Sequence, residues 1–149
     1  MARDFNCKIV LPIDVVCANN VKDSINVKYL KIENISEDQM ILDLGRETIE
    51  IINNIIINSN MILWNGPLGA FEYKPFDYAT MEIANTIKNN SKNLNIVTLA
   101  GGGDTISAIK MADAYSYFSY ISNAGGAFLE WFEGKESPGV KALKENILS

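Results

Sequence analysis

Residues 98 to 110, TLAGGGDTISAIK, place three glycines, an aspartate and a threonine between an apolar run and a helix-like run. Successive glycines let an anion approach the backbone without a Cβ in the way. Asp104 and Thr105 open the following helix, whose free N–H groups and positive end attract phosphate. An aspartate beside phosphate is consistent with Mg²⁺, which prefers carboxylate and phosphate oxygens. The alternative is a tight strand-to-helix turn in which Asp104 is only the N-cap.

Two further glycine-bearing turns also follow apolar runs. SNAGGAFLE, residues 122 to 130, repeats the design of small residues and two glycines before a helix. WNGPLGAFE, residues 64 to 72, contains the turn-forming Asn-Gly-Pro sequence and ends in Glu72. Glu72 could bond a pair of ribose hydroxyls, although a solvated surface glutamate is the alternative. For Trp64 and Phe71 we favour core positions over base-stacking platforms.

The elements that must position these turns are predicted from hydrophobic periodicity and breakers. In chain order we predict a strand buried on both faces over 8–18, as in a parallel sheet, a half-exposed strand over 27–35, a helix from Ser36 that Gly45 ends, a helix over 46–59, a strand over 61–66, a helix over 75–91, a strand over 95–101, a helix over 104–114, a strand over 117–123, a helix over 124–134, and a tail with one turn at Pro138-Gly139.

The alternation of helices and strands from residue 46 onward favours an α/β fold. We expect a Rossmann-like, three-layer arrangement, in which a parallel sheet carries helices on both faces. Right-handed crossovers gather the carboxyl ends of parallel strands at one edge, and ligands of such sheets bind outside that edge. All three glycine-bearing turns are predicted to lie there. Asp14 and Asp43 are read as turn caps and not as catalytic groups.

Composition narrows the classes of function. The chain has 149 residues, 48% of them hydrophobic, which is enough for one core. Its net charge of −5 disfavours nucleic acid and anionic membrane as partners. The apolar runs are shorter than the roughly 20 residues of a bilayer span, and the first residues do not resemble a signal peptide. Cys7 and Cys17 do not form a disulfide framework, so we expect a cytoplasmic location.

The chain contains no histidine and only two arginines, Arg3 and Arg46. The first absence excludes Ser/His/Asp catalysis, Cys/His catalysis and ordinary zinc sites in these residues. Any chemistry here must use carboxylates, amides, hydroxyls, lysines or backbone N–H groups. A content of only two arginines is unusual for an enzyme that binds several anionic groups.

Taken together, the motifs resemble the C-terminal half of phosphoglycerate kinase. LPIDVV, LDLG, ILWNGPLGAFEYKPF, AGGGDT and YISNAGGAFLEWFEGKESPGVKAL follow in the order and spacing of that family. The resemblance covers about residues 8 to 143, and its tryptophan-asparagine-glycine-proline and glycine-rich blocks are specific. It implies one incomplete nucleotide-binding domain over 1–149, without the N-terminal substrate domain.

The resemblance also implies a reaction and a set of site residues. The family transfers a phosphoryl group between 1,3-bisphosphoglycerate and ADP, giving 3-phosphoglycerate and ATP in glycolysis. ATP or ADP and Mg²⁺ are therefore the expected ligands, with 3-phosphoglycerate binding only when the N-terminal domain is present. The implied roles are ribose binding by Glu72, lining of the nucleotide site by Asn65 and Pro67, contact with the nucleotide phosphates by Gly102, Gly103, Asp104 and Thr105, metal binding by Asp104, and a place near the transferred phosphoryl group for Gly103, Gly125 and Gly126.

Four departures from the family pattern bear on these expectations. Ile41 stands where the family has glycine beside the adenine site, and Arg46 stands where proline is usual. Asn123-Ala124 replace threonine-glycine, and Ser137 replaces leucine. A branched side chain at residue 41 could fill the base pocket, and Ala124 stiffens the second phosphate turn.

Because the family's basic clamps lie outside these residues, we expect this chain to be inactive as a kinase by itself. We also expect self-association, or a partner, across a sheet edge exposed where strands are missing. The competing hypotheses are a non-catalytic remnant that binds nucleotide weakly or serves as a partner-binding module, and a Rossmann-like binder unrelated to kinases.

Overall fold

The computed structural model describes residues 1–91, 96–136 and 138–147. Its strands are β1 (Asp14–Ala18), β2 (Lys28–Lys31), β3 (Met40–Leu44), β4 (Met61–Asn65), β5 (Val97–Gly101) and β6 (Tyr120–Ser122). Its α-helices are α1 (Arg46–Ile57), α2 (Tyr78–Ser91), α3 (Gly103–Met111), α4 (Gly125–Phe132) and α5 (Pro138–Ile147). Short 3-10 helices cover Arg3–Phe5, Ile32–Asn34 and Tyr115–Tyr117.

The chain divides into two compact units. The first contains Met1–Ile56 and Leu68–Ile83, and the second contains Ile57–Pro67 and Ala84–Ser149. In the first unit, β1 lies between β2 and β3 and pairs antiparallel with both. Its core is a cluster of buried side chains from β1, from β3 and from the segment before α2, namely Val16, Ala18, Leu42 and Phe76.

The second unit contains a three-stranded parallel sheet in the order β4-β5-β6. Helices α3 and α4 both contact β5, so the parallel sheet is flanked by helices. This mixed α/β architecture confirms the predicted fold class. The predicted alternation of helix and strand from residue 46 is also present, from α1 through α4.

The first strand was predicted over 8–18 as part of a parallel sheet, but β1 pairs antiparallel with both of its neighbours. Residues 8–13 lie outside β1, and Ile9 and Leu11 are largely exposed. β1 itself is as buried as predicted, but it is the centre of an antiparallel sheet. Short loops can join antiparallel neighbours, whereas a parallel pair needs a long crossover, and a run of apolar residues does not distinguish the two.

Two further predictions of secondary structure are wrong. No helix begins at Ser36, since Met40–Leu44 forms β3, whose pairing with β1 overrides the local helix-start signal. The expected tail with one turn is helix α5, which begins at Pro138. Proline is well suited to the first helical position, and the good helix formers Lys141, Ala142 and Lys144 lie further along the segment.

Within the three described ranges, no helix has both the length and the apolar character needed to cross a bilayer.

Candidate functional site

The three parallel strands of the second unit end at the same level. Asn65 at the end of β4 is in register with Gly101 at the end of β5, and Gly101 is in register with Ser122 at the end of β6. The turns that follow parallel strands in this register lie at one edge of the sheet. The three turns predicted to share an edge therefore do so.

The turns after β5 and β6 touch through glycine backbone. Gly102 has a φ of 97°, in the region that favours glycine, and its N–H donates to the Ser122 carbonyl oxygen at 3.1 Å. A Cβ placed on Gly125 would lie 2.7 Å from Gly102 Cα and 3.2 Å from Asn65 Oδ1. Only a glycine at 125 permits this approach, so the two helix starts lie side by side.

Neither helix start is capped by a side chain. The N-cap residues of α3 and α4 are Gly102 and Ala124, and neither makes a side-chain cap hydrogen bond. The first N–H groups of a helix have no partner inside it, and together with the helix dipole they form an anion site. A Cβ on Gly103 or on Gly126 would meet no described atom within 4 Å. The backbone at both helix starts is thus accessible to a ligand.

Asp104 is exposed in the first turn of α3. Within the described residues, no group of three or more acidic, cysteine or histidine side chains could hold a metal by itself. A single carboxylate nevertheless fits Mg²⁺, which usually keeps several waters and shares one or two carboxylates with phosphate oxygens. These residues therefore suit a magnesium ion that arrives with a phosphorylated ligand.

Thr105 is buried and connects α3 to the turn after β4. Its Oγ1 accepts a hydrogen bond from the Gly66 N–H at 2.7 Å. The carbonyl oxygen of Gly66 in turn accepts from Trp64 Nε1 at 2.6 Å. Trp64 is buried, as predicted, but its polar end had no role in the sequence-based interpretation. The signal was present, because a buried indole N–H usually finds a partner.

The predicted site residues fall into both units. Those in the second unit are Asn65, Pro67, Gly102, Gly103, Asp104, Thr105, Gly125 and Gly126. Glu72 belongs to the first unit and is exposed. Phe71 and Phe76, which precede and follow it in the sequence, are buried. Phe71 is thus a core residue, as predicted.

Those departures from the family pattern that fall within the described residues lie at exposed positions. Ile41, in β3, is 55% exposed. Arg46 begins α1, and its guanidinium carbon lies 5.9 Å from the centre of the Tyr78 ring, as in a cation–π contact. Asn123 and Ala124 are exposed at the start of α4. Ser137 lies outside the described residues.

Two carboxylates of the first unit, predicted to cap turns, instead accept hydrogen bonds from the starts of helices. Asp14, the first residue of β1, accepts bonds from the backbone N–H groups of Glu47 and Thr48 in the first turn of α1. Asp43 accepts a bond from the N–H of Ala79 in the first turn of α2 at 3.0 Å. Both cysteines are free, so no disulfide is formed.

Comparison with known proteins identifies relatives along nearly the whole chain. The family model of phosphoglycerate kinase matches residues 1–135. The phosphoglycerate kinase of Chelativorans sp. (strain BNC1) is 44% identical over 144 residues, which are 97% of this chain and 36% of that protein. That of Zymomonas mobilis is 44% identical over 143 residues, with 96% of this chain and 36% of the relative covered. The chain therefore spans about a third of the length of these relatives.

Solved structures show the same likeness. Phosphoglycerate kinase from Coxiella burnetii superimposes with a TM-score of 0.81 at 32% identity, covering 90% of this chain and 34% of that one. The enzyme from Pyrococcus horikoshii OT3 gives a TM-score of 0.76 at 26% identity, covering 96% and 34% of the two chains. With the family match over residues 1–135, these similarities show that the chain belongs to the phosphoglycerate kinase family.

Proposed function

We propose that this chain provides the Mg-nucleotide part of a phosphoglycerate kinase site. The observation that carries the proposal is the approach of Gly125 to Gly102, which sets two uncapped helix starts side by side at the carboxyl edge of a parallel sheet. Two such starts suit the consecutive phosphates of ATP or ADP.

Each residue of the second unit then has a role that its position supports. The N–H groups at Gly103 and at Gly126 bind phosphate oxygens, and the Asp104 carboxylate binds the magnesium ion carried by the nucleotide. Magnesium, when bound, neutralises charge on the phosphates. Asn65 directs its amide toward Gly102 and Gly125, since its Oδ1 would lie 3.6 Å and 3.2 Å from Cβ atoms placed there.

Thr105 supports this site by holding the turn after β4, because its hydroxyl accepts a hydrogen bond from the Gly66 N–H. The O–H of that hydroxyl is still a donor, and its contact with the nucleotide phosphates is assigned from the family alone. For Glu72 and Pro67, the assignment to the ribose and to the lining of the nucleotide site rests on the family alone.

The complete reaction, between 1,3-bisphosphoglycerate and ADP, is proposed only for an assembly that also supplies the phosphoglycerate-binding domain. Phosphoryl transfer depends mainly on positioning and charge stabilisation, so the lack of histidine here is no obstacle. We propose that residues 1–149 act as part of one nucleotide-binding domain, in the cytoplasm, and have no kinase activity alone.

Calorimetric titration with MgADP tests the nucleotide part of this proposal. We expect saturable binding that Asp104→Ala weakens about tenfold, because the carboxylate no longer helps to hold the magnesium ion. Glu72→Ala should weaken binding through loss of the ribose contact, to a similar extent in the presence and absence of magnesium. Absence of binding by the unchanged chain would refute the proposal.

A coupled ADP/ATP assay with 1,3-bisphosphoglycerate tests the statement on activity. We expect no turnover above the uncatalysed rate, and measurable turnover would show that these residues suffice for catalysis.

A further inference from the structure

The backbone N–H and C=O of Gly66 belong to successive peptide groups, and each is held by a side chain from a different element. Trp64, in β4, donates its Nε1–H to the Gly66 carbonyl oxygen at 2.6 Å. The Gly66 N–H donates to Oγ1 of Thr105, in the first turn of α3, at 2.7 Å. The two hydrogen bonds meet at one residue, so the backbone of Gly66 joins the turn after β4 to the start of α3.

Both of these side chains are fixed by burial. Trp64 is 7% exposed and Thr105 is 1% exposed, and the centroid of the Trp64 ring lies 6.2 Å from that of the Phe118 ring. Hydrogen bonds are stronger in such surroundings, and an indole N–H left without a partner would be costly. The backbone conformation of Gly66 thus depends on an indole at residue 64, since another aromatic ring could pack there without donating.

We propose that Trp64 is a positioning residue for nucleotide binding. By fixing the backbone of Gly66, it holds the neighbouring Asn65 side chain and the first turn of α3 in the arrangement that receives the phosphates. A Cβ on Gly125 would lie only 3.2 Å from Asn65 Oδ1, so a small shift of this turn alters the surface formed by both helix starts. The inference rests on the proposed nucleotide function and adds a residue that does not touch the ligand.

The substitution Trp64→Phe tests the proposal, because it keeps an aromatic ring in the core and removes only the donor. We expect the dissociation constant for MgADP to rise about threefold to tenfold, the range for loss of one hydrogen bond. The titration is made well below the thermal midpoint of the variant, so that partial unfolding does not contribute. Trp131→Phe is the matched control, since Trp131 is 67% exposed, and it should bind as the unchanged chain does.

A double-mutant cycle with Thr105→Val shows whether the two side chains act as one unit. Valine keeps the shape of threonine and removes the acceptor of the Gly66 N–H. If both residues act through Gly66, the double variant binds MgADP more tightly than the product of the two single effects predicts. Strictly multiplicative effects would overturn the proposal that both hydrogen bonds act through the backbone of Gly66.

Hydrogen exchange at the Gly66 amide separates failure of this inference from failure of the proposed function. In Trp64→Phe we expect that amide to exchange about threefold to tenfold faster, while amides of the first unit keep their rates. If the unchanged chain does not bind MgADP, the proposed function fails, and Gly66 exchange alone then decides the positioning. Unchanged exchange, or unchanged MgADP affinity in a chain that binds it, overturns the role of Trp64.

Discussion

At the residue scale, two carboxyl groups of the first unit, the half-buried Asp14 and the buried Asp43, have opposite pKa shifts. Burial raises the pKa of Asp14, but hydrogen bonds from Thr48 and from the backbone of Glu47 outweigh it, and the net pKa lies below 3.8. Burial raises the pKa of Asp43 to about 7, despite bonds from the N–H groups of Ala79 and Leu44. Asp14 therefore stabilises the fold above about pH 4. The Asp43 carboxyl, by contrast, is mainly protonated in the folded chain below about pH 7.

The raised pKa of Asp43 predicts that stability falls as pH rises. Because the folded pKa exceeds the unfolded one, folding retains a proton that is lost as pH passes through about 7. We expect the free energy of unfolding to decrease by about 1 kcal/mol between pH 6 and pH 8. Urea denaturation between pH 6 and pH 8 measures this change in the free energy of unfolding. Because the chain has no histidine, few other side chains titrate in this pH range. In Asp43→Asn the dependence should disappear; an unchanged slope would assign it to another group.

The contact between Gly102 and Gly125 predicts different costs for two neighbouring alanine substitutions. In Gly125→Ala the new Cβ would lie 2.7 Å from Gly102 Cα, so the backbone must move, and we expect a loss of about 2 kcal/mol. In Gly126→Ala the Cβ meets no described atom within 4 Å, and stability should stay within about 0.5 kcal/mol of the original. Thermal unfolding compares them, and equal stability of the two variants would contradict the close approach.

At the element scale, the start of α1 depends on a carboxylate that is distant in sequence. Helix α1 begins at Arg46, and Asp14, 32 residues earlier, accepts hydrogen bonds from the N–H groups of Glu47 and Thr48. In Asp14→Ala these donors lose their partner, and we expect a loss of about 2 kcal/mol in the free energy of unfolding. Glu47→Gln is the matched control. It breaks only the exposed ion pair with Lys31 and should cost no more than about 0.5 kcal/mol. A similar cost for both variants would argue against capping by Asp14.

Periodicity predicted those elements whose partners lie nearby in sequence or follow the α/β alternation. Within the predicted helix over 75–91, the side chains at helical spacing are all buried, namely Phe76, Ala79, Ile83 and Ile87. On α1, by contrast, Ile49 and Ile56 are buried while Ile55 is 40% exposed. β3 was missed because its pairing with β1 is a long-range interaction that local propensity does not encode.

The candidate site was predictable in part for a similar reason. Glycines and a helix-start aspartate mark Gly102, Gly103 and Asp104 in any reading of the sequence. The contact between Gly102 and Gly125 and the bond from Trp64 to Gly66 depend on how the strands align, and no spacing rule predicts them.

At the scale of the whole molecule, the edges of the parallel sheet predict self-association. Within the described residues, β4 and β6 each pair only with β5, and Tyr120 on β6 is 56% exposed. Such an edge can accept a strand from a second copy. We expect sedimentation velocity at micromolar concentrations to show a dimer that Tyr120→Lys weakens. Met111→Lys, on the exposed side of α3, should leave the dimer intact, and a monomer in all three samples would contradict the prediction.

We propose that the starts of α3 and α4 together receive the phosphates of a magnesium-bound nucleotide. A titration with MgADP, followed by the backbone amide resonances of the isotope-labelled chain, tests this proposal at the residues concerned. We expect the largest shifts at Gly103, Asp104 and Gly126, and all three should follow one binding curve. Shifts confined to other residues, or none at saturating MgADP, would contradict it.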